Sequence, residues 1–183
     1  MTRVQRRLAA VALVGCCAAV AGAGTWSAFS DTTANESNGY AAGTVLLSDN
    51  DAGTALLSLS GAMPGASSTG CILVTYGGSL DADVRLYASV SGALAPHLVL
   101  TVTRGTDAAP SFDSCASFSP EPGDLFDGPL SSYPGTYGTG IADPEAWSTG
   151  ESHSYRVRAE LADDPAAENL TATATFTWEA RNR

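Results

Sequence analysis

Two histidines, four cysteines and one short acidic run are the residues of this 183-residue chain whose types could support chemistry. A catalytic zinc needs three protein ligands, commonly including two histidines on one helix, and the chain has no His-Glu-x-x-His. Its histidines, His97 and His153, lie far apart in sequence: His97 follows Pro96 in an expected loop, and His153, beside Glu151, reads as a turn residue before a strand. Asp49-Asn50-Asp51-Ala52-Gly53 places oxygen ligands at alternate positions, as calcium loops do, but lacks the sixth-position glycine and distant glutamate of an EF-hand. Calcium near Asp49 and Asp51 therefore stands beside the simpler reading of a polar hairpin turn. Asn169-Leu170-Thr171 and Asn35-Glu36-Ser37 fit the glycosylation sequon. There is no Gly-x-Ser-x-Gly, phosphate-cradling loop or dinucleotide fingerprint, so no catalytic, cofactor or metal residue is assigned.

Cys16 and Cys17 lie in an apolar leader, which leaves Cys71 and Cys115 for the remainder of the chain. In an exported protein one disulfide is the natural pairing, with free thiols or metal ligands as alternatives. Closing a loop of that length would stabilise the fold by about 4 kcal/mol from chain entropy.

The leader itself is the clearest address. Arg3, Arg6 and Arg7 precede an uncharged run from Leu8 to Ala23, the pattern a secretory translocase reads. Three processing routes compete: a small-x-small site at Ala21-Gly22-Ala23 that would expose Gly24, cleavage between Ala28 and Phe29, and a lipobox, Leu13-Val14-Gly15-Cys16, that would lipidate Cys16. After the leader, six arginines stand against nineteen acids, a formal charge of −13, and lysine is absent. Such a chain is repelled by phosphate backbones and anionic lipid, which argues against nucleic-acid or membrane-surface partners.

The elements beyond the leader read as strands. Thr44 to Ser48 and Thr54 to Leu59 flank the Asp49–Gly53 turn, and Cys71 to Tyr76 precedes Gly77-Gly78-Ser79, both hairpin-like signals. Asp83 to Val90, Leu98 to Thr103 and Tyr155 to Leu161 alternate apolar and polar residues. The cleanest run is Leu170 to Trp178, where Leu170, Ala172, Ala174, Phe176 and Trp178 alternate with four threonines. Between 106 and 150 lie six of the nine prolines, and regular strands are hard to place there. Phe112, Phe118, Phe126, Tyr133, Tyr137, Ile141 and Trp147 recur through it, so it is expected to be a folded excursion, pinned by Cys115 and carrying a small core of its own rather than a carbohydrate groove. Asp163 to Asn169 is the best short helix, with Pro165 in its first turn. The expectation is an all-β, antiparallel, jelly-roll-like β-sandwich with a long irregular excursion between later strands.

Gly24-Thr25-Trp26-Ser27-Ala28-Phe29-Ser30-Asp31, Ala42-Gly43-Thr44-Val45-Leu46-Leu47, Met63-Pro64-Gly65, the stretch from Gly78 to Leu86 and the closing Ala174-Thr175-Phe176-Thr177-Trp178-Glu179-Ala180 occur in order behind the leader. In these the chain resembles the camelysin/TasA family of exported proteins. The resemblance implies a jelly-roll sandwich and leader removal by a SipW-type signal peptidase. For the TasA branch it also implies assembly into extracellular biofilm-matrix fibres, with the freed N-terminal segment pairing as a strand on a neighbouring or related subunit. The camelysin branch is classed as a metalloendopeptidase. Carried onto this chain, residues 1–28 are the signal peptide, 29–43 the N-terminal segment with Phe29 to about Tyr40 donated, and 44–183 one sandwich domain. A monomeric secreted or lipid-anchored binding module is the alternative. Mass analysis of the N-terminus of the exported protein is expected to begin at Phe29; a start at Gly24 or a lipidated Cys16 would assign one of the other routes.

Overall fold

The computed structural model describes residues 30–34, 45–59, 62–106, 112 and 114–183. The leader with Cys16 and Gly24, the Ala28–Phe29 junction, most of the 29–43 segment and the Asn35 sequon lie outside the described residues.

Alternation of apolar and polar residues cannot bury one face of a single sheet by itself, so two sheets close on each other. One has the order β1-β10-β4-β8, formed by β1 (Ser30–Ala34), β10 (Thr173–Asn182), β4 (Ala82–Ser91) and β8 (Ile141–Trp147). The other runs β2-β3-β9-β5, from β2 (Leu47–Asp49), β3 (Ser67–Tyr76), β9 (Ser152–Leu161) and β5 (Leu98–Thr106); β6 (Ser119–Pro120) and β7 (Phe126–Pro129) both pair with the outer edge of β5. All pairings are antiparallel. Apart from the short β2 and β6, successive strands switch sheets at every step except β5 to β7, which is jelly-roll connectivity.

Register places the expected apolar rows inside. On β4, Val84, Leu86 and Ala88 are buried; on β5, Leu98, Leu100 and Val102; on β9, Tyr155, Val157, Ala159 and Leu161; on β10, Trp178 and Ala180. The longest ladder joins β10 to β4 without interruption from Thr173↔Ser91 to Asn182↔Ala82.

Four expectations need correction. Thr54 to Leu59 is not a strand, and Asp49–Gly53 is therefore a turn without a second hairpin arm. The segment finds no ladder and instead lies against β3 at Gly70, where a Cβ would meet the Leu56 carbonyl oxygen at 2.5 Å. Gly77–Gly78 does not close a hairpin either, since β3 and β4 belong to different sheets. The 106–150 region is more regular than its prolines suggest, holding β6, β7 and β8; β7 and β8 are edge strands, where Pro129 and Pro144 need no ladder hydrogen bond. Lastly, His153 is a buried residue of β9 rather than a turn residue.

The short helix is a 3-10 turn, Pro165–Ala167, capped by Asp164, whose carboxylate accepts the Ala166 N–H. Most excursion aromatics are core. Phe126, Tyr133 and Phe176 meet edge to face, with centroids 4.8 and 5.6 Å apart, and Trp147 is fully buried. Phe118 and Tyr137 differ: Arg156 lies over the first, Arg85 and Arg181 over the second.

Leu100 is 1% exposed in the middle of this core, and Leu100→Ala is expected to cost about 2–5 kcal/mol, read as a fall in the urea midpoint at unchanged slope.

Candidate functional site

Two places in the sandwich carry more than packing. The first is a polar cluster at one end of the interior. The inward row of β5, Leu98, Leu100 and Val102, continues to Arg104, which is 3% exposed. That of β9 begins with His153, and β8 contributes Asp143 and Trp147. An isolated buried guanidinium is costly, so its partners decide whether the site is tolerable.

Arg104 is surrounded by acids. Its Nη1 lies 2.7 Å from Glu121 Oε2, its Nη2 2.9 Å from Glu145 Oε2, and its Nε 3.2 Å from Asp143 Oδ2. Asp143 also accepts the Tyr155 hydroxyl at 2.6 Å. His153 Nδ1 stands 2.9 Å from Arg104 Nη2 and its Nε2 2.9 Å from Glu151 Oε1. The network assigns the proton to Nε2, which donates to Glu151 while Nδ1 accepts from Arg104. Burial works against the Arg104 charge, but Glu145, Asp143 and Glu121 outweigh it and raise its pKa. The same hydrogen bond to Arg104 lowers the pKa of Glu145. Burial, reinforced by Asp143, lifts the Tyr155 hydroxyl well above the usual tyrosine range, so it remains a donor.

Glu145, Glu151 and His153 bring ligand atoms within 4.8 Å of one another, a spacing a metal ion could use. The guanidinium already bonds two of the three, and both Glu151 oxygens are engaged, one by His153 and one by the Ser148 N–H. The cation of this cluster is thus a side chain of the protein. What the arrangement does is hold β5, β8 and β9 together around a shared charge.

The signal for Arg104 was in the sequence. Alternation through Leu98, Leu100 and Val102 extends to position 104, whereas the expected strand stopped at Thr103.

The other sequence-marked residues fall elsewhere. Cys71 and Cys115 form a disulfide with Cα atoms 5.2 Å apart, joining β3 to the excursion. The Asp49–Gly53 oxygens serve the turn: Asp49 accepts the Asp51 N–H, Asp51 the Gly53 N–H and Asn50 the Leu73 N–H. Burial, together with Asp49, raises the pKa of Asp51. His97 Nδ1 lies 2.9 Å from Asp164 Oδ2, tying the turn before β5 to the one before β10.

The second place is the outer edge of β10. Residues 30–34 pair there as β1, from Ser30↔Arg181 to Ala34↔Thr177. The segment that the resemblance marks for donation thus begins as an edge strand, and its next neighbour in sequence, β2, belongs to the opposite sheet. Among the described residues no helix is long and apolar enough to cross a membrane.

Removing the guanidinium alone leaves Asp143 buried without its counter-charge. Arg104→Met is expected to destabilise the protein by about 3–5 kcal/mol, measured by urea unfolding, and Arg104→Met with Asp143→Asn to recover part of that loss. No protein-family model matches the chain, and no curated protein matches its sequence.

Proposed function

We propose that this protein is an exported structural subunit that assembles outside the cell by exchanging its N-terminal strand. The leader and the disulfide support an extracellular, oxidising destination. On this reading a SipW-type signal peptidase cuts between Ala28 and Phe29, which frees the segment from Phe29 to about Tyr40.

The observation that carries the reading is the placement of β1. It is an edge strand attached to the sandwich through one ladder, on 177–181 of β10. Those main-chain hydrogen bonds are made equally well by the same segment of another copy. Exchange therefore keeps the bonds while linking subunits, the logic of strand addition and domain swapping. A head-to-tail contact of this kind propagates as a thread wherever its rotation does not close a ring.

Protein beginning at Phe29 is expected to form sedimentable, thread-like oligomers in electron micrographs, and deletion of residues 29–40 to leave it monomeric by light scattering. A Phe29 protein that stays monomeric at high concentration would overturn the proposal.

A further inference from the structure

β10 joins two ends of opposite charge. The turn that leads into it, residues 162–172, holds Asp163, Asp164 and Glu168 and no basic residue. A hydrogen bond from the Leu94 N–H to the Thr171 carbonyl and the contact between His97 and Asp164 keep that turn beside the C-terminal end of β4. Towards the other end Glu179 pairs with Arg85 and Arg181 with Asp83, and the outer face carries Arg85, Arg181 and, just past the strand, Arg183. A ten-residue strand places the two ends about 30 Å apart. Three of the six arginines beyond the leader therefore share one patch, whereas Arg104 is buried among carboxylates and Arg158 bonds Glu160.

The patch is ordered and only partly spent. Arg181 lies 3.7 Å from the centroid of the Tyr137 ring and Arg85 5.2 Å, so one side chain of the loop between β7 and β8 steadies both guanidiniums. Glu179 is used within the patch: one oxygen accepts from Arg181 Nε at 2.9 Å and the other from the Tyr87 hydroxyl at 2.8 Å. Arg85 contacts only the Tyr137 and Gly138 carbonyls, each at 3.4 Å, and among the described residues it has no carboxylate partner. The side chains of Arg181 and Arg183 are 44% and 59% exposed. Stacking on an aromatic ring leaves the N–H edges of a guanidinium turned outward, the geometry that receives a carboxylate. β4, β10 and the loop over them are described throughout.

We propose that this arginine patch docks the acidic 163–168 turn of a second copy, so that copies meet head to tail. Charge complementarity chooses the occupant: the chain is strongly acidic, Asp163 and Glu168 are exposed, and neither makes an ion pair among the described residues. Patch and turn lie at opposite ends of β10, so each copy uses its patch on one neighbour and its turn on the other. The like net charge of two copies is screened over about 8 Å at physiological salt, and the contact acts inside that range. The proposal rests on the strand-exchange reading and adds to it the surface that orients the next subunit.

The test uses protein beginning at Phe29. Arg85→Glu with Arg183→Glu reverses the patch and spares the Arg181–Glu179 pair; Asp163→Arg with Glu168→Arg reverses the turn and spares the Asp164 cap. Each pair is expected to lower the sedimented fraction about fivefold at unchanged circular dichroism, and all four substitutions in one chain to restore it. Unchanged sedimentation of the two-substitution variants, while unsubstituted protein forms threads, would overturn this proposal and leave strand exchange standing. Absence of threads from the unsubstituted protein would overturn strand exchange instead, and disulfide trapping then decides the contact by itself. Thr139→Cys protein mixed with Ala166→Cys protein, both exposed positions, is expected to give a cross-linked pair, and Ser67→Cys in place of Thr139→Cys is expected to give none. No cross-link from the first mixture, or equal cross-linking from the second, would overturn the proposal.

Discussion

The ladder between β10 and β4 is the interaction on which the rest of the sandwich depends. It runs the full length of both strands, and its register turns Trp178 and Ala180 inward opposite Leu86 and Val84. A slip by one residue would place threonines and a glutamate against the core and expose the apolar row, so the alternation of side chains is also what locks the pairing. Because β4 commits one edge of β10, the other is left for β1, which pairs with residues 177–181. The same ladder thus leaves the place where the N-terminal strand sits.

At one end of the interior the apolar rows give way to charge. Arg104, Asp143, Tyr155 and His153 occupy inward positions that Leu, Val or Ile fill elsewhere. Desolvating a guanidinium and a carboxylate is expensive, and the arrangement offsets that expense by bonding each to more than one partner. The geometry also gives the excursion a structural task. Glu121, Asp143 and Glu145 all come from it, so the excursion supplies the three carboxylates that balance the buried charge, while Cys115 ties it to β3.

Much of the fold was legible. Val84, Leu86, Ala88 and Tyr155, Val157, Ala159, Leu161 announced their faces, because a half-buried strand must alternate whatever its neighbours are. Pro165 marked a helical turn within Asp163–Asn169 for an equally local reason. Thr54 to Leu59 misled, since leucines and small polar residues suit a strand, yet the segment lies against β3 at Gly70 without joining a ladder. β8 was hidden for the opposite reason: Pro144 speaks against a ladder, yet an edge strand has a side on which the missing N–H costs nothing.

The candidate sites divide in the same way. The proposal of export, the Cys71–Cys115 pairing and the inward rows follow from local composition, from the parity of side chains along a strand and from the count of available cysteines. These need no knowledge of which strands meet. The Arg104 cluster and the seat of β1 on β10 are products of meeting. The first joins residues from β5, β9 and the excursion, β8 included; the second joins residues 30–34 to residues 177–181, far away along the chain. Side-chain parity is a property of one strand and is written in its sequence, whereas burial and pairing are shared by several, and only the folded chain decides them.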